Sequence, residues 1–462
     1  MFRVAGVVII ACLLARLWAV RAALPCALSK TRHINRDHEP IHHNVMPSRR
    51  PGPGLQLQSA GVTRQLACWC ASQDWQMARE QRIAALEEEL ARLRAPAAGR
   101  SATESMAQIA APRNSVTVRV PATSANMGPG FDCVGMALDM WSELTLTRNT
   151  DAGAPMLTIT CEGEGSESVP RDESNLVFVA VKAAFRKAGA EMVPLHFHCV
   201  NRIPFGRGLG SSSAAVVSGL VAGLALCGRE LKVFGEDSMM HGGTQIEPEE
   251  LLQLASQIEG HPDNVCPAIY GGIQLGIQLG EGKWRSCRVN CPTDLQLVAF
   301  ISDSVGKTSE LRSVLSDTVT RAEAVFNIGR TAFLVNALNT NKLYDLRWGT
   351  QDALHQPQRA AAVYHHLVPI IEAGLAAGAH GVYLSGAGPT VLALTSGAAG
   401  DTFSQLESER TEQRVAKAML EAAASVKHTG RVFISRPVLR GAYISKADPP
   451  FSSSLIHYPG DL

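Results

Sequence analysis

The chain lacks the marks of several protein classes. It has no CxxC pair, no excess of either charge, few aromatic residues and no apolar run long enough to cross a bilayer. Its 11 cysteines are scattered, and His, Cys and carboxylates never cluster at zinc-ligand spacing. They read as reduced, buried thiols rather than a metal module or disulfide framework. Lys and Arg number 43 against 42 Asp and Glu, so no general field draws the protein to nucleic acid or an anionic membrane. Aromatics make up only 5%, yet hydrophobic residues reach 46%, which excludes a largely disordered chain. The sequence holds no GxxxxGK[ST] and so no Walker loop. It holds no HRD or DFG and so is no protein kinase, and its alternating glycines miss the dinucleotide-binding GxGxxG spacing.

What is present divides unevenly over the 462 residues, enough for two or three domains. Residues 4–15, VAGVVIIACLLA, are apolar but shorter than the roughly 20 residues of a membrane span. Arg3, Arg16, Arg21, Lys30, Arg32 and Arg36 all precede the first acid, Asp37. A signal-like start in a basic, acid-free stretch predicts a targeting leader over 1–36, for a plastid or other organelle. The other reading is an over-extended start, which leaves the protein cytoplasmic. Residues 37–112 read as disordered linker with a short helix over 72–95, where Ile83, Leu86, Leu90 and Leu93 recur three and four apart. That stripe is too short for a convincing coiled coil, and a homodimer is an open expectation.

From Ser115 onward the pattern is that of a folded enzyme. Strands are predicted at 115–120, 141–148, 156–161, 195–201 and 295–301. Helices are predicted at 172–189, 211–226, about 248–259, 320–340 and 360–377, with two apolar runs about a turn at 382–395. Strands and helices mix without strict alternation, which predicts an α+β fold. Residues 228–247 have no period and read as an inserted surface loop.

Three polar, glycine-marked loops interrupt this apolar region. In PFGRGLGSSSAA (204–215), Gly206, Gly208 and Gly210 precede three serines and a helix of small residues. Free N–H groups at a helix start attract anions, although a purely structural helix start reads the same. PATSANMGPGFDCVGMAL (121–138) carries Asn126 and Asp132. IEGHPDNVCPAIYGG (258–272) carries Glu259, His261, Asp263 and Asn264. Asp and Asn often stand in turns for local reasons, and Asp263 is read as structural.

These strings resemble the small-molecule kinases named after galactokinase, homoserine kinase, mevalonate kinase and phosphomevalonate kinase, in the form that homoserine kinases carry. YLSGAGPTVLAL (383–394), KTSELR (307–312) and LHQPQR (354–359) extend the likeness over roughly 115–445 in the right order. It does not cover 1–112, the insert or the end of the chain. The resemblance implies an α+β two-domain fold. An N-terminal ATP-binding domain (113–285) would hold the phosphate loop in a left-handed βαβ unit. A ferredoxin-like C-terminal domain (286–445) would follow, then a tail (446–462).

It also implies transfer of the ATP γ-phosphoryl group to the hydroxyl of L-homoserine, with Mg²⁺ as cofactor, in the biosynthesis of threonine. ATP would be held by Asn175 and by Pro204, Phe205, Gly206, Arg207, Gly208, Leu209, Gly210, Ser211, Ser212, Ser213 and Ala214. Glu259 with Ser211 or Ser212 would hold Mg²⁺, a hard cation that wants oxygen ligands; Gln253 aligns under another gap choice but has no charge. Asn126, Asp132, His261, Asn264 and Thr308 would hold the amino acid, and Arg312 and Arg359 its carboxylate, which a planar guanidinium grips with two hydrogen bonds. Asp132 and Glu259 are the catalytic candidates, and whether Asp132 is a general base stays open. Ser385, Gly386 and Gly388 form the third motif. Two further readings remain: a kinase of the same superfamily acting on mevalonate-type alcohols, and a nucleotide-binding sensor without catalysis.

Overall fold

The computed structural model describes residues 113–231, 245–280, 282–306, 308–396 and 410–450. The expected leader, the linker with its helix 72–95, residues 232–244 of the insert and residues 451–462 lie outside the described residues.

The first half builds one sheet and the helices that cover it. Its elements are β1 (Ser115–Ala125), β2 (Val134–Arg148), β3 (Leu157–Gly163), α1 (Leu176–Ala188), β4 (Leu195–Asn201) and α2 (Ser211–Leu226). After the short pair β5 (Glu230–Leu231) and β6 (Gln245–Ile246) come α3 (Pro248–Glu259), α4 (Val265–Tyr270), β7 (Ile273–Gly280) and β8 (Lys283–Val289). The hairpin of β7 and β8 has no counterpart in the sequence-based assignment. Alternation sets the sheet's two faces. Val116, Val118, Val120, Leu144, Leu146, Leu195 and Phe197 are buried on one side. On the other, Ser115 meets Thr147 and Thr117 meets Thr145 in hydroxyl pairs of 3.1 and 3.0 Å.

Both β4 and β7 run antiparallel to β2. The chain leaving β4 through residues 202–210 into α2 and returning at β7 is therefore a crossover between strands of one direction. Helix α2, SSSAAVVSGLVAGLAL, is buried almost all round. A Cβ at Gly219 would crowd Ala180 and the Val177 carbonyl, and one at Gly223 would crowd Ala184. The small residues thus set how closely α1 and α2 pack.

The second half contains β9 (Gln296–Ser302), α5 (Thr308–Ser313), α6 (Arg321–Asn339), α7 (Leu346–Gly349), α8 (Gln356–Ala362), α9 (Leu367–Ala376), β10 (Gly381–Leu384), β11 (Val391–Thr395), α10 (Thr411–Ser425), β12 (Gly430–Ser435) and β13 (Tyr443–Asp448). Its sheet is antiparallel with strand order β10-β11-β9-β12. Helices connect β9 to β10 and β11 to β12, which is the ferredoxin-like arrangement. The sheet is buried on both faces: Leu297, Ala299 and Ile301 join the first core, Val298 and Phe300 the second. That explains the unbroken apolar runs at 295–301 and 382–395.

Three boundaries differ from expectation. The expected helix 360–377 is two helices, parted at 363–366. Pro369 explains the break, because proline fits the first turn of α9 but not the interior of one long helix. The boundary at 285/286 falls inside β8. The tail expected from 446 begins inside β13, which returns to pair with β1 in the first sheet.

Candidate functional site

The phosphate loop is held open by neighbours on both sides. Gly208 (φ 74°) and Gly210 (φ 70°) are left-handed. A Cβ on Gly208 would overlap the Ser385 carbonyl, and one on Gly210 the Thr123 hydroxyl. The glycines therefore serve close approach to the neighbouring loops as much as to a ligand. Ser385 Oγ donates to Gly208 O at 2.7 Å, while Ser124 Oγ lies 2.8 Å from Ser385 Oγ and 3.2 Å from the Tyr383 hydroxyl. Since Ser385 spends its proton on Gly208, the chain of donors runs Tyr383 to Ser124 to Ser385 to the loop. Leu209 O accepts from Thr123 N and Gly206 O from Gly306 N. The Arg207 side chain bonds Ser302 O at 2.7 Å and faces Glu164 at 3.7 Å, so it braces the loop against the end of β9. Pro204, Leu209, Ser213 and Ala214 are buried, and Phe205 packs near Gly165.

The loop 126–132 carries the acceptor-side groups in a strained conformation. Asn126, Met127 and Asp132 have φ of 69°, 45° and 54°, which Asn and Asp tolerate better than most residues. Asn126 Oδ1 accepts from Asp132 N and its Nδ2 donates to Gly386 O, both at 3.0 Å. Asn126 is thus a strut between the Asp132 loop and the third-motif loop. Arg312, near the end of α5, meets Asp132 with two hydrogen bonds of 2.9 and 2.6 Å. Burial pushes the Asp132 carboxyl up, but the hydrogen bonds and charge of Arg312 outweigh it and hold the group below the usual carboxylate range. Thr308 opens α5, one turn before Arg312.

Arg359, on α8, is among the largest fully buried side chains, 2% exposed. It donates from Nε to Leu311 O (3.3 Å) and from Nη1 to Gly386 O and His355 Nδ1 (3.1 Å each). Its Nη2 makes no hydrogen bond among the described residues. Burial first, then the neighbouring Arg312, lower its pKa to about 10. Both guanidiniums lie against the Phe131 ring, at 5.5 Å for Arg312 and 5.8 Å for Arg359. The aromatic face offsets part of their mutual repulsion.

The 258–264 turn supplies Glu259, His261, Asp263 and Asn264. His261 Nδ1 lies 2.6 Å from Asp263 Oδ1. Burial alone would lower this imidazole, but Asp263 and then Glu259 raise its pKa to about 9. Asp263 is buried and orients the His261 ring. Asn264 Oδ1 accepts from the Thr123 hydroxyl at 2.8 Å. Gln253 is spent on Trp284, bonding its N and its O at 2.8 Å each. Glu259 Oε1, by contrast, is buried with no hydrogen-bond partner among the described residues, as is Ser213 Oγ. A carboxylate oxygen withdrawn from water without a donor is costly, and such an oxygen is chemically suited to a hard divalent cation. The orphaned serine is Ser213; Ser211 is half-buried and Ser212 exposed.

Asn175 has a structural role at the start of α1. Its Oδ1 caps α1 through Val177 N (2.9 Å) and its Nδ2 bonds Pro170 O (2.7 Å). Ser124, Tyr383, Thr123, Phe131 and His355 were not singled out from sequence, although each lies within or beside a motif string. Their roles are contacts to residues far along the chain, which no local pattern exposes.

The GHMP kinases N terminal domain matches residues 175–272, and the GHMP kinases C terminal domain matches 338–425. The chain is 36% identical over 329 residues to a homoserine kinase of Desulfitobacterium hafniense, covering 71% of this chain and 99% of that one. It is 41% identical over 281 residues to a homoserine kinase of Caldanaerobacter subterraneus, covering 61% and 83%. The crystal structure of homoserine kinase from Cytophaga hutchinsonii matches with a TM-score of 0.60 and 25% identity, over 75% of this chain and all of that one.

Proposed function

The chain belongs to the homoserine kinases of the GHMP kinase family, and from that premise we propose how its residues divide the work of phosphorylating L-homoserine with ATP. One observation carries the reading: the phosphate loop and Arg359 are hydrogen-bonded to the same short loop, through Ser385 and Gly386. That shared loop supports a site for polyphosphate beside a site for a carboxylate.

The N–H groups of 206–212 take the β- and γ-phosphates at the start of α2. Glu259, with a serine of 211–213, is the place for Mg²⁺, which when bound would neutralise charge on the phosphates. Arg359, with its unused Nη2, and Arg312 receive the carboxylate of homoserine. Asp132 is held ionised by Arg312, and a carboxyl so acidic is a poor proton acceptor at neutral pH. We therefore assign Asp132 to orientation of the amino acid's polar groups rather than to general-base catalysis. The homoserine oxygen bonds to the γ-phosphorus, the bridge to ADP breaks, and the hydroxyl proton is released. Asn264 and His261 border the same acceptor region, and Thr308 is assigned to it by sequence position.

Coupled ADP release by the full chain, with L-homoserine, 3-aminopropan-1-ol and mevalonate as acceptors, tests this. Homoserine should exceed both in kcat/KM by at least about a hundredfold, the scale of a recognition site left unpaired by a truncated substrate. Preference for mevalonate would overturn the assignment, and absence of turnover with any acceptor would favour a nucleotide sensor. Among the described residues no helix is long and apolar enough to cross a membrane. The 1–36 leader rests on composition alone; a reporter fused to residues 1–112 should move to an organelle if that reading holds. A homodimer is checked by sedimentation of the same protein.

A further inference from the structure

His355 is wholly buried beside the acceptor site, and its two ring nitrogens face partners that allow one protonation state. Nε2 lies 2.8 Å from Gly128 O, a carbonyl that only accepts. Nδ1 lies 3.1 Å from Arg359 Nη1, which only donates. The ring must therefore be neutral, with its proton on Nε2. We propose that His355 is a positioning residue for homoserine recognition, orienting the Arg359 guanidinium through Nδ1 and tying down the Asp132-bearing loop through Nε2. The inference rests on the assignment of Arg359 to the substrate carboxylate.

The surroundings make the ring a rigid spacer. Asp352, itself buried, accepts from Asn327 Nδ2 (2.7 Å) and from the backbone N–H of Leu354, His355 and Gln356 at 2.7–3.0 Å. That carboxylate fixes the start of α8 and lies 3.6 Å from His355 Nε2. Phe131 packs against the ring at 5.2 Å. The charged groups bearing on His355 are Asp352, Arg359 and Asp132, with Arg312 behind Arg359. Burial and the Arg359 charge hold the imidazole below its ordinary range in spite of Asp352. Arg359 lies beside a second cation, Arg312, whose like charge repels its own. A lone pair fixed at Nδ1 holds Nη1, leaving Nη2 for the ligand.

Two substitutions separate the two arms. In His355→Asn, Oδ1 can still accept from Arg359 but the side chain is too short for Gly128. In His355→Gln, the amide reaches Gly128 but offers no acceptor at the Nδ1 position. Steady-state kinetics on the full chain should give a homoserine KM at least about tenfold higher in His355→Gln, the scale of one lost hydrogen bond to a charged group, with ATP KM within about twofold. His355→Asn should keep homoserine KM within about threefold and lose kcat instead. For 3-aminopropan-1-ol, which has no carboxylate, His355→Gln should change kcat/KM little. In the wild type, homoserine kcat/KM should fall in acid as the ring takes a proton at Nδ1, and the analogue should be much less affected.

Equal losses for homoserine and the analogue, or the same KM in both variants, would overturn the inference and leave His355 a core residue. If either variant fails to fold, the wild-type acid limb decides: a fall for homoserine alone supports the role, and parallel falls for both acceptors overturn it. Lack of wild-type turnover with homoserine is a separate outcome, visible before any substitution, and removes the assignment on which the inference rests.

Discussion

The two halves of the site are built differently. The phosphate side is one continuous stretch, 204–214, shaped by backbone: alternating left-handed glycines, then the start of a buried helix. The acceptor side is assembled from side chains on separate segments. Asp132 pairs with Arg312 across 180 residues, and Asn126 with Gly386 across 260. The third-motif loop joins the two. A backbone site leaves its mark in a short string of glycine and serine, whereas a side-chain site leaves scattered polar residues whose pairing appears only in the fold. At Gly208 the phosphate side should tolerate little change, because a new Cβ there meets the Ser385 backbone.

The most severe break should be Gly208→Ala. Alanine at φ 74° carries a left-handed strain of about 1–2 kcal/mol, and its Cβ would strike the Ser385 carbonyl, adding an overpacking cost of about 1–3 kcal/mol. Urea unfolding should show a lower midpoint, and ATP turnover in the folded fraction should be largely lost. Wild-type-like stability would mean that the loop opens away from Ser385.

Glu259→Gln tests the metal place without altering shape. Removing the charge should lower turnover by about a hundredfold or more, the scale of one lost electrostatic contact at a transition state, with the melting temperature preserved or raised, since a neutral amide is less costly to bury than an orphaned carboxylate. Near-normal turnover would exclude Glu259. Gln253 is not a ready substitute, because both of its amide atoms are engaged by Trp284.

The contrast between halves also explains what could be read beforehand. The strand-rich start, α1, α2 and the glycine loop follow from alternation, caps and helix periodicity within single windows. The two-faced burial of β9 was visible only as an apolar run. The hairpin of β7 and β8 was missed, since IQLGIQLG carries too much polar character for a buried strand and four of its residues are exposed. In the site, Asp132, Glu259, Arg312 and Arg359 were named through resemblance. Their partners were not: the Ser124–Ser385–Gly208 chain and the His355–Gly128 contact bring together residues that no spacing rule connects, while His355 and Arg359 are only four apart on one helix start, a spacing that could have been read. The cap and strut bonds of Asn175 and Asn126 were not foreseen for a related reason: an asparagine in a loop looks free until its partners are in place.

Arg359→Lys sharpens the acceptor side. Lysine keeps the charge but has no planar fork, so the contact should weaken by about 1.5–3 kcal/mol. The loss should appear as a raised homoserine KM with ATP KM little changed. A substrate without the carboxylate should be largely indifferent to the change. Equal losses for both would give Arg359 a structural role and leave Arg312 as the sole clamp.

The smallest expected effect separates the two cores by pH. The second core buries His366, whose ring stacks on His428 at 3.7 Å and 9° and whose Nε2 lies 3.1 Å from Pro389 O. Burial, with the neighbouring His428 and His365, lowers the His366 pKa to about 4, against an ordinary 6.5. His428 is lowered in the same direction, by burial. An unfolded chain takes up these protons from about pH 6.5 downward, and the folded chain does so only near pH 4. The unfolded state therefore binds more protons in that window, and stability is full above about 6.5 and lost as pH falls toward 4. The melting temperature should drop between pH 7.5 and 5 in the wild type, and His366→Gln should reduce that drop by a few degrees, at roughly 2–4 °C per kcal/mol for a domain of 150–250 residues. The variant itself starts lower, having lost the stack, so the comparison is of slopes with pH and not of absolute midpoints. An unchanged slope in His366→Gln would assign the acid sensitivity to other buried groups, with His355 beside the acceptor site next in line.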